Sequence, residues 1–274
     1  MKFGVSTFVT DEGIRPDALA KALEERGFDS LFLAEHSHIP LGTTTPDGST
    51  LDRQFYRTLD PFIALTAAAS ATENLLLGTG VTLLVQRDVI HTAKEVASLD
   101  LLSHGRAVLT VGAGWNRTEM RNHGVDPATR GRKLDEQLAA LKTIWTKSEA
   151  TFTGEHVNFG PMFQWPKPVQ QPHPPIYIGG HSPAARRRVA EHGDGWFPVV
   201  ATVADVREMR AALIARDRAD VVLNVPAEEN QPALLAEFAE AGADRATFDI
   251  PTESESATLR RLDALAALVH AQTR

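Results

Sequence analysis

The stretch PIYIGGHSPAARRRVAEHGDGWFPVV, residues 175–200, decides the fold. PIYIGG (175–180) is a short apolar run of strand length. Ser182 then stands as an N-cap and Pro183 as a first helical residue, which predicts a helix over 183–192. GWFPVV (195–200) is a second apolar run. A strand, a helix and a strand within so few residues make a parallel crossover unit.

The same unit repeats outward in both directions. Strands are predicted at 2–7, 28–34, 75–84 and 106–112, with helices over 16–26, 60–71, 91–103 and 129–147. Pro16 and Gly27 bracket the first helix, and Asp60 caps the second. Downstream come a helix over 203–216, a strand at 220–225, a helix over 231–241, a strand at 245–250 and a helix over 256–270. Eight strands alternating with eight helices predict an α/β fold closed into one (β/α)8 TIM barrel, a single domain over 1–274. The alternation pauses once, between helix four and strand five. Residues 148–174 form an excursion whose Phe152, Phe159, Phe163 and Trp165 need a surface to pack on.

Composition narrows the function classes. The 274 residues slightly exceed the ~250 typical of such a barrel. A net charge of −7 without like-charge runs argues against nucleic acid as partner. The chain has no cysteine, which excludes disulfides, thiolate nucleophiles and cysteine metal sites. The opening MKFGVSTFVTDEG has no basic segment followed by an apolar core, so no signal peptide is expected. No apolar run approaches the ~20 residues of a membrane span, and a cytoplasmic protein is expected.

In this architecture chemistry sits at the C-terminal ends of the strands. Four places there carry unusual residues. Glu35-His36-Ser37-His38 follows strand two and supplies candidate acids, bases or hydrogen-bond donors; no third ligand at metal spacing accompanies the histidines, and no metal is expected. Gly78-Thr79-Gly80-Val81 lies within strand three, where glycines mark either a bulge against a ligand or a packing site. Gly112-Ala113-Gly114-Trp115-Asn116 ends strand four; small residues leave backbone donors open and Trp115 can wall a flat ligand, but the run does not complete a dinucleotide fingerprint. Gly179-Gly180-His181-Ser182 ends strand five at a helix N-terminus, an anion site followed by Arg186, Arg187 and Arg188. The alternative there is a tight turn with a solvated basic face.

FDSLFLAEHSHIP (28–40), LLLGTGVTLL (75–84), LLSHGRAVLTVGAGWNRTEM (101–120) and PKPVQQPHPPIYIGGHSPAARRRVAEHGDGWFP (166–198), with ATRGRKLDE (128–136), resemble the luciferase-like monooxygenase family. The likeness runs from the first strand to about residue 200; the remainder matches in pattern only. Within the family the chain is most similar to members that use the deazaflavin coenzyme F420. The resemblance implies that His36 faces the reactive ring and that a bulge at Thr79, Gly80 and Val81 backs it, often with a non-proline cis peptide. It further implies that Ala113 and Gly114 follow the cofactor tail, and that Gly179, Gly180 and His181 hold its phosphate. Some relatives carry a glutamate proton donor directly after the strand-four glycines; here that position is Trp115. His36, His38 or Glu35 are the remaining candidates for that role.

The expected reaction is hydride transfer between F420 and a small organic substrate, with the excursion and the loop at 39–58 covering the site. That loop is polar at Thr43 to Thr45, Asp47, Gly48 and Ser49, then aromatic at Phe55 and Tyr56. The first alternative is an FMN-dependent monooxygenase of the same fold, which consumes oxygen and needs a partner flavin reductase. The second is a flavin- or deazaflavin-binding protein without turnover. A lyase or aldolase barrel needs a Schiff-base lysine, and Lys94, Lys133, Lys142, Lys147 and Lys167 fall on helices or the excursion. The resemblance also implies a homodimer.

Overall fold

The computed structural model describes residues 1–45 and 48–272; Asp47 of the covering loop lies outside the described residues. The barrel strands are β1 (Lys2–Thr7), β2 (Ser30–Leu33), β3 (Leu76–Thr79), β4 (Ala107–Val111), β7 (Ile176–Gly179), β8 (Gly195–Phe197), β9 (Val222–Ala227) and β10 (Arg245–Ile250). They close in the order β1-β10-β9-β8-β7-β4-β3-β2, all neighbours parallel. The helices predicted between them are α1 (Pro16–Glu25), α3 (Pro61–Ser70), α4 (Val89–Leu102), α6 (Arg130–Thr146), α7 (Pro183–His192), α8 (Val203–Ile214), α9 (Pro232–Glu240) and α10 (Glu255–Gln272). The fold class expected from the alternation is the one observed. Asp60 caps α3 as its position implied, its Oδ1 accepting the amides of Phe62 at 2.9 Å and Ile63 at 3.1 Å.

Two short helices escaped the pattern: α2 (Gln54–Arg57) in the covering loop and α5 (Arg117–Asn122) after β4. The third strand is also shorter than the apolar run 75–84 suggested. It ends at Thr79, the Gly80–Val81 peptide is cis, and a 3-10 turn follows at Leu84–Gln86. A continuous apolar run cannot distinguish a strand from a buried loop.

The excursion is an antiparallel hairpin of β5 (Glu149–Thr153) and β6 (Asn158–Phe163), and it does not cover the barrel mouth. Glu136 of α6 accepts the backbone amides of Glu155, His156 and Val157 at its turn. Gln164 donates to the carbonyl of Ile90, and Lys167 to that of Ile144, so the segment packs outside α4 and α6. Phe163 and Trp165 stay exposed, contrary to the expectation that they pack against the barrel.

Aromatic rings fill the barrel interior. At the N-terminal end Arg245 is paired with Asp29 at 2.8 Å and donates to the hydroxyl of Tyr177 at 3.2 Å. Above them lies the fully buried Phe32, 6.4 Å from Tyr177 and 4.8 Å from Phe197 between ring centres. These rings fit because their neighbours lack side chains. A Cβ on Gly195 would sit 2.3 Å from the Tyr177 ring, and one on Gly78 would sit 2.4 Å from the Phe32 ring. Gly78 is therefore a packing glycine, which settles one half of the choice left open by the sequence.

A methyl at position 78 must displace a ring that has no free space around it. Gly78→Ala is expected to lower unfolding free energy by about 1–3 kcal/mol, and by less in a Phe32→Leu background. Urea denaturation midpoints of the four proteins check this; equal losses in both backgrounds would contradict the contact.

Candidate functional site

A cavity of about 560 Å³ opens at the C-terminal end of the barrel, within the size range of small-molecule sites. Ser6 of β1, Asn224 and Pro226 of β9, and Thr247 and Asp249 of β10 line it. His36, Gly80, Val81, Trp115 and His181 face the same space, together with Phe8, Phe55 and Phe197. Of the predicted site residues, the structure thus brings together His36, the Gly80–Val81 bulge, Trp115 and His181.

His36 is oriented by a residue that the sequence reading missed. Its Nδ1–H donates to Oε2 of Glu119 at 2.8 Å, both side chains being buried. The contact leaves Nε2 of His36 without a hydrogen-bond partner among the described residues. Trp115 meets the imidazole edge-on at 5.8 Å, and Phe55 lies 5.6 Å away. Glu119 is in the first turn of α5, where the helix dipole favours negative charge, and Asn116 caps that helix through the amides of Thr118 and Glu119. The signal was present: Asn116 followed by Glu119 three residues later is a helix-start spacing.

Glu35 and His38, expected beside His36 as acids or bases, have other work. Glu35 Oε2 accepts the Leu83 amide at 2.6 Å, and Oε1 accepts from Arg87 at 2.5 Å. Burial pushes its carboxyl upward, opposed by Arg87 and the Leu83 amide. Arg87 also reaches Asp60 and Glu95, so this cluster ties the segment after β3 to the start of α3 and the middle of α4. Glu35 borders the cavity, but both oxygens are engaged. His38 turns away from it, between Ser37 Oγ at 2.9 Å and the Asn122 amide at 2.9 Å, with its ring 5.4 Å from that of His123.

The glycine-rich strand ends resolve unevenly. A Cβ on Gly112 would lie 2.7 Å from one Val81 methyl, and a Cβ on Gly179 would lie 2.8 Å from the other. These two glycines seat Val81 and do not line the cavity. Thr79 is buried, with its Oγ donating to the carbonyl of Thr110 at 2.7 Å. Ala113 and Gly114 are half-buried beside the cavity wall without lining it.

At the fourth place Ser182 caps α7 through the Ala185 amide at 3.2 Å. Gly180 has φ +99°, a conformation suited to glycine, and turns the chain from β7 into the helix. The backbone amides of His181, Ser182 and Ala184 have no partner among the described residues, which suits an anion at this helix terminus. The three arginines behind it do not add to that set. Arg186 pairs with Asp205 of α8 and Arg188 with Asp135 of α6, which fastens α7 to both, while Arg187 pairs with Glu191 one turn along α7.

Asp249 was not singled out from the sequence, because RATFDI reads only as a final strand. Its side chain is exposed to the cavity, within the mouth of the barrel. It has no hydrogen bond or ion pair among the described residues, and burial pushes its carboxyl from the ordinary 3.8 up to about 6. A raised folded value means that the stability it permits at low pH is lost as pH rises. Thermal unfolding at a series of pH values is expected to show wild type falling behind Asp249→Asn between about pH 4 and 6, with a constant gap above about pH 7. A pH-independent gap would contradict the burial.

Comparison with known proteins accords with this arrangement. The sequence profile of the luciferase-like monooxygenase family matches residues 15–271. The uncharacterized protein Rv0953c of Mycobacterium tuberculosis is 38% identical over 278 residues, covering 97% of this chain and 98% of that one. The FMNH(2)-dependent dimethylsulfone monooxygenase of Pseudomonas putida is 35% identical over 160 residues, 53% of this chain and 44% of that one. Among solved structures, an F420-dependent secondary alcohol dehydrogenase in complex with an F420-acetone adduct superposes with a TM-score of 0.76 at 17% identity, covering 98% of both chains. With its parallel eight-stranded barrel and its profile match over nearly the whole length, this chain belongs to the luciferase-like monooxygenase family.

Proposed function

We propose that this chain is an F420-dependent oxidoreductase acting on a small organic substrate. The observation that carries the reading is His36, fixed by buried Glu119 with Nε2 left unpaired at a chamber of about 560 Å³. A redox enzyme is common ground for the family; the choice of coenzyme is the proposal. Full-length fold matches include both an F420-dependent secondary alcohol dehydrogenase and a monooxygenase from Streptomyces bottropensis, each at a TM-score of 0.76, so the fold is shared by both chemistries; the FMNH(2)-dependent relative matches 53% of this chain. FMN remains the second reading, supported by that relative's 35% identity.

The donor set fits such a cofactor. Unpartnered amides at His181, Ser182 and Ala184 suit a phosphate, and the Gly80–Val81 bulge offers a flat backing at the cavity floor. The deazaflavin, when bound, supplies the two-electron hydride chemistry. The protein's part is orientation and proton handling. Glu119 fixes the His36 ring so that Nε2 accepts a hydrogen bond, or a proton, from a substrate hydroxyl. The Glu119 carboxylate then stabilises the imidazolium that proton transfer creates. Trp115 and Phe55 pack against His36 and keep water from it.

Fluorescence titrations with F420 and FMN side by side test the assignment. Micromolar F420 binding, at least about tenfold tighter than FMN, is expected; micromolar FMN binding with none of F420 would overturn it. On an alcohol from a screening panel that reduces the bound cofactor, His36→Ala is expected to lower kcat by about 100-fold or more and to leave cofactor affinity within about threefold.

A further inference from the structure

The cavity holds one charged group that the proposed chemistry does not use. Asp249 projects from the end of β10 into the chamber, level with Ser6 of the neighbouring strand. Every other titratable group on the lining is accounted for or peripheral. Glu35 is paired with Arg87, His36 is bound to Glu119, and His181 stands exposed at the α7 terminus. Among the described residues no lysine or arginine lines the chamber. On the same lining, Thr247 donates to Asn224 Oδ1 at 2.8 Å, and Phe8, Phe55, Trp115 and Phe197 contribute aromatic walls.

The Asp249 carboxylate is exposed to the chamber and has no hydrogen bond or ion pair among the described residues, so it is open to a ligand. A structural role would appear as a hydrogen bond or ion pair, and there is none among the described residues. Aromatic rings with a single uncompensated negative charge make a site for an organic cation: the rings attract it by their faces and the carboxylate by its charge. We propose that Asp249 is the recognition group of the substrate chamber, and that the substrate is an apolar-bodied molecule carrying a protonated amine. The proposal rests on the reading of this cavity as the substrate chamber; it does not depend on which coenzyme binds.

The sign of the pH dependence follows from the carboxyl. Burial holds it at about 6, so above that pH it is ionised and ready to pair. A bound ammonium favours the ionised form and lowers its value. Affinity for an ammonium is therefore flat above about pH 7 and falls as pH drops through about 6.

Calorimetric titration with benzylammonium and benzyl alcohol, on protein saturated with its cofactor and on protein without it, tests this. Wild type at pH 8 is expected to prefer benzylammonium by about tenfold or more. In Asp249→Asn, and in Asp249→Ser as a second variant, the preference is expected to shrink to within about twofold. Retained thermal unfolding transitions certify that both variants fold. Equal binding of the two probes by wild type, no binding of benzylammonium at millimolar concentration, or a preference that survives in a folded variant would each overturn the proposal. Cofactor binding is read separately by fluorescence in the same samples. Loss of F420 binding with the ammonium preference intact counts against the coenzyme assignment alone.

Discussion

Glu119 is fully buried, and a carboxylate in that position needs a hydrogen-bond donor. His36 supplies it at 2.8 Å, and the geometry of the barrel mouth is organised around that contact. It ties the segment after β2 to the short helix after β4. It fixes which imidazole nitrogen is engaged and which is free. It also sets the distance at which Trp115 and Phe55 meet the ring. The neighbouring contact of Glu35 with Arg87 and the Leu83 amide does for the segment after β3 what Glu119 does for β2. Two adjacent residues on one loop, both buried acid–base partners, therefore have distinct duties: Glu35 holds the wall and His36 faces the chamber.

Beneath the mouth, close packing sets the height of the floor. Phe32 and Tyr177 occupy the barrel axis because Gly78 and Gly195 give way to them. Val81 occupies the next level because Gly112 and Gly179 give way to it. The glycines thus act through the side chains they admit. Space left above Val81 and Phe197 becomes the cavity, and Asp249 is the charge that remains in it without a counterpart.

Much of the fold was legible in the sequence. The βα alternation predicted the closed barrel, and Pro16, Asp60 and Ser182 marked helix starts correctly. The segments missed, α2 and α5, run four and six residues, too short for a helical period to declare itself. The site was legible in part. His36, Val81, Trp115 and His181, singled out as unusual residues at strand ends, all line the cavity. Glu119 was missed because its partner lies 83 positions away. Glu35, His38 and the three arginines were read as available because a sequence shows charge but not the ion pairs and hydrogen bonds that occupy it. The excursion was expected over the mouth because its aromatics suggested a surface; Glu136 and Gln164 instead hold it outside α4 and α6.

In the proposed complex a deazaflavin ring lies between the Gly80–Val81 bulge and His36, with its phosphate at the start of α7. A crystal structure of the protein soaked with F420 tests it most directly. Ring density is expected against Val81, with His36 Nε2 facing it and phosphate density at the amides of His181, Ser182 and Ala184. Density for the ring elsewhere, or a phosphate held by Arg186 or Arg187 after their ion pairs break, would contradict it.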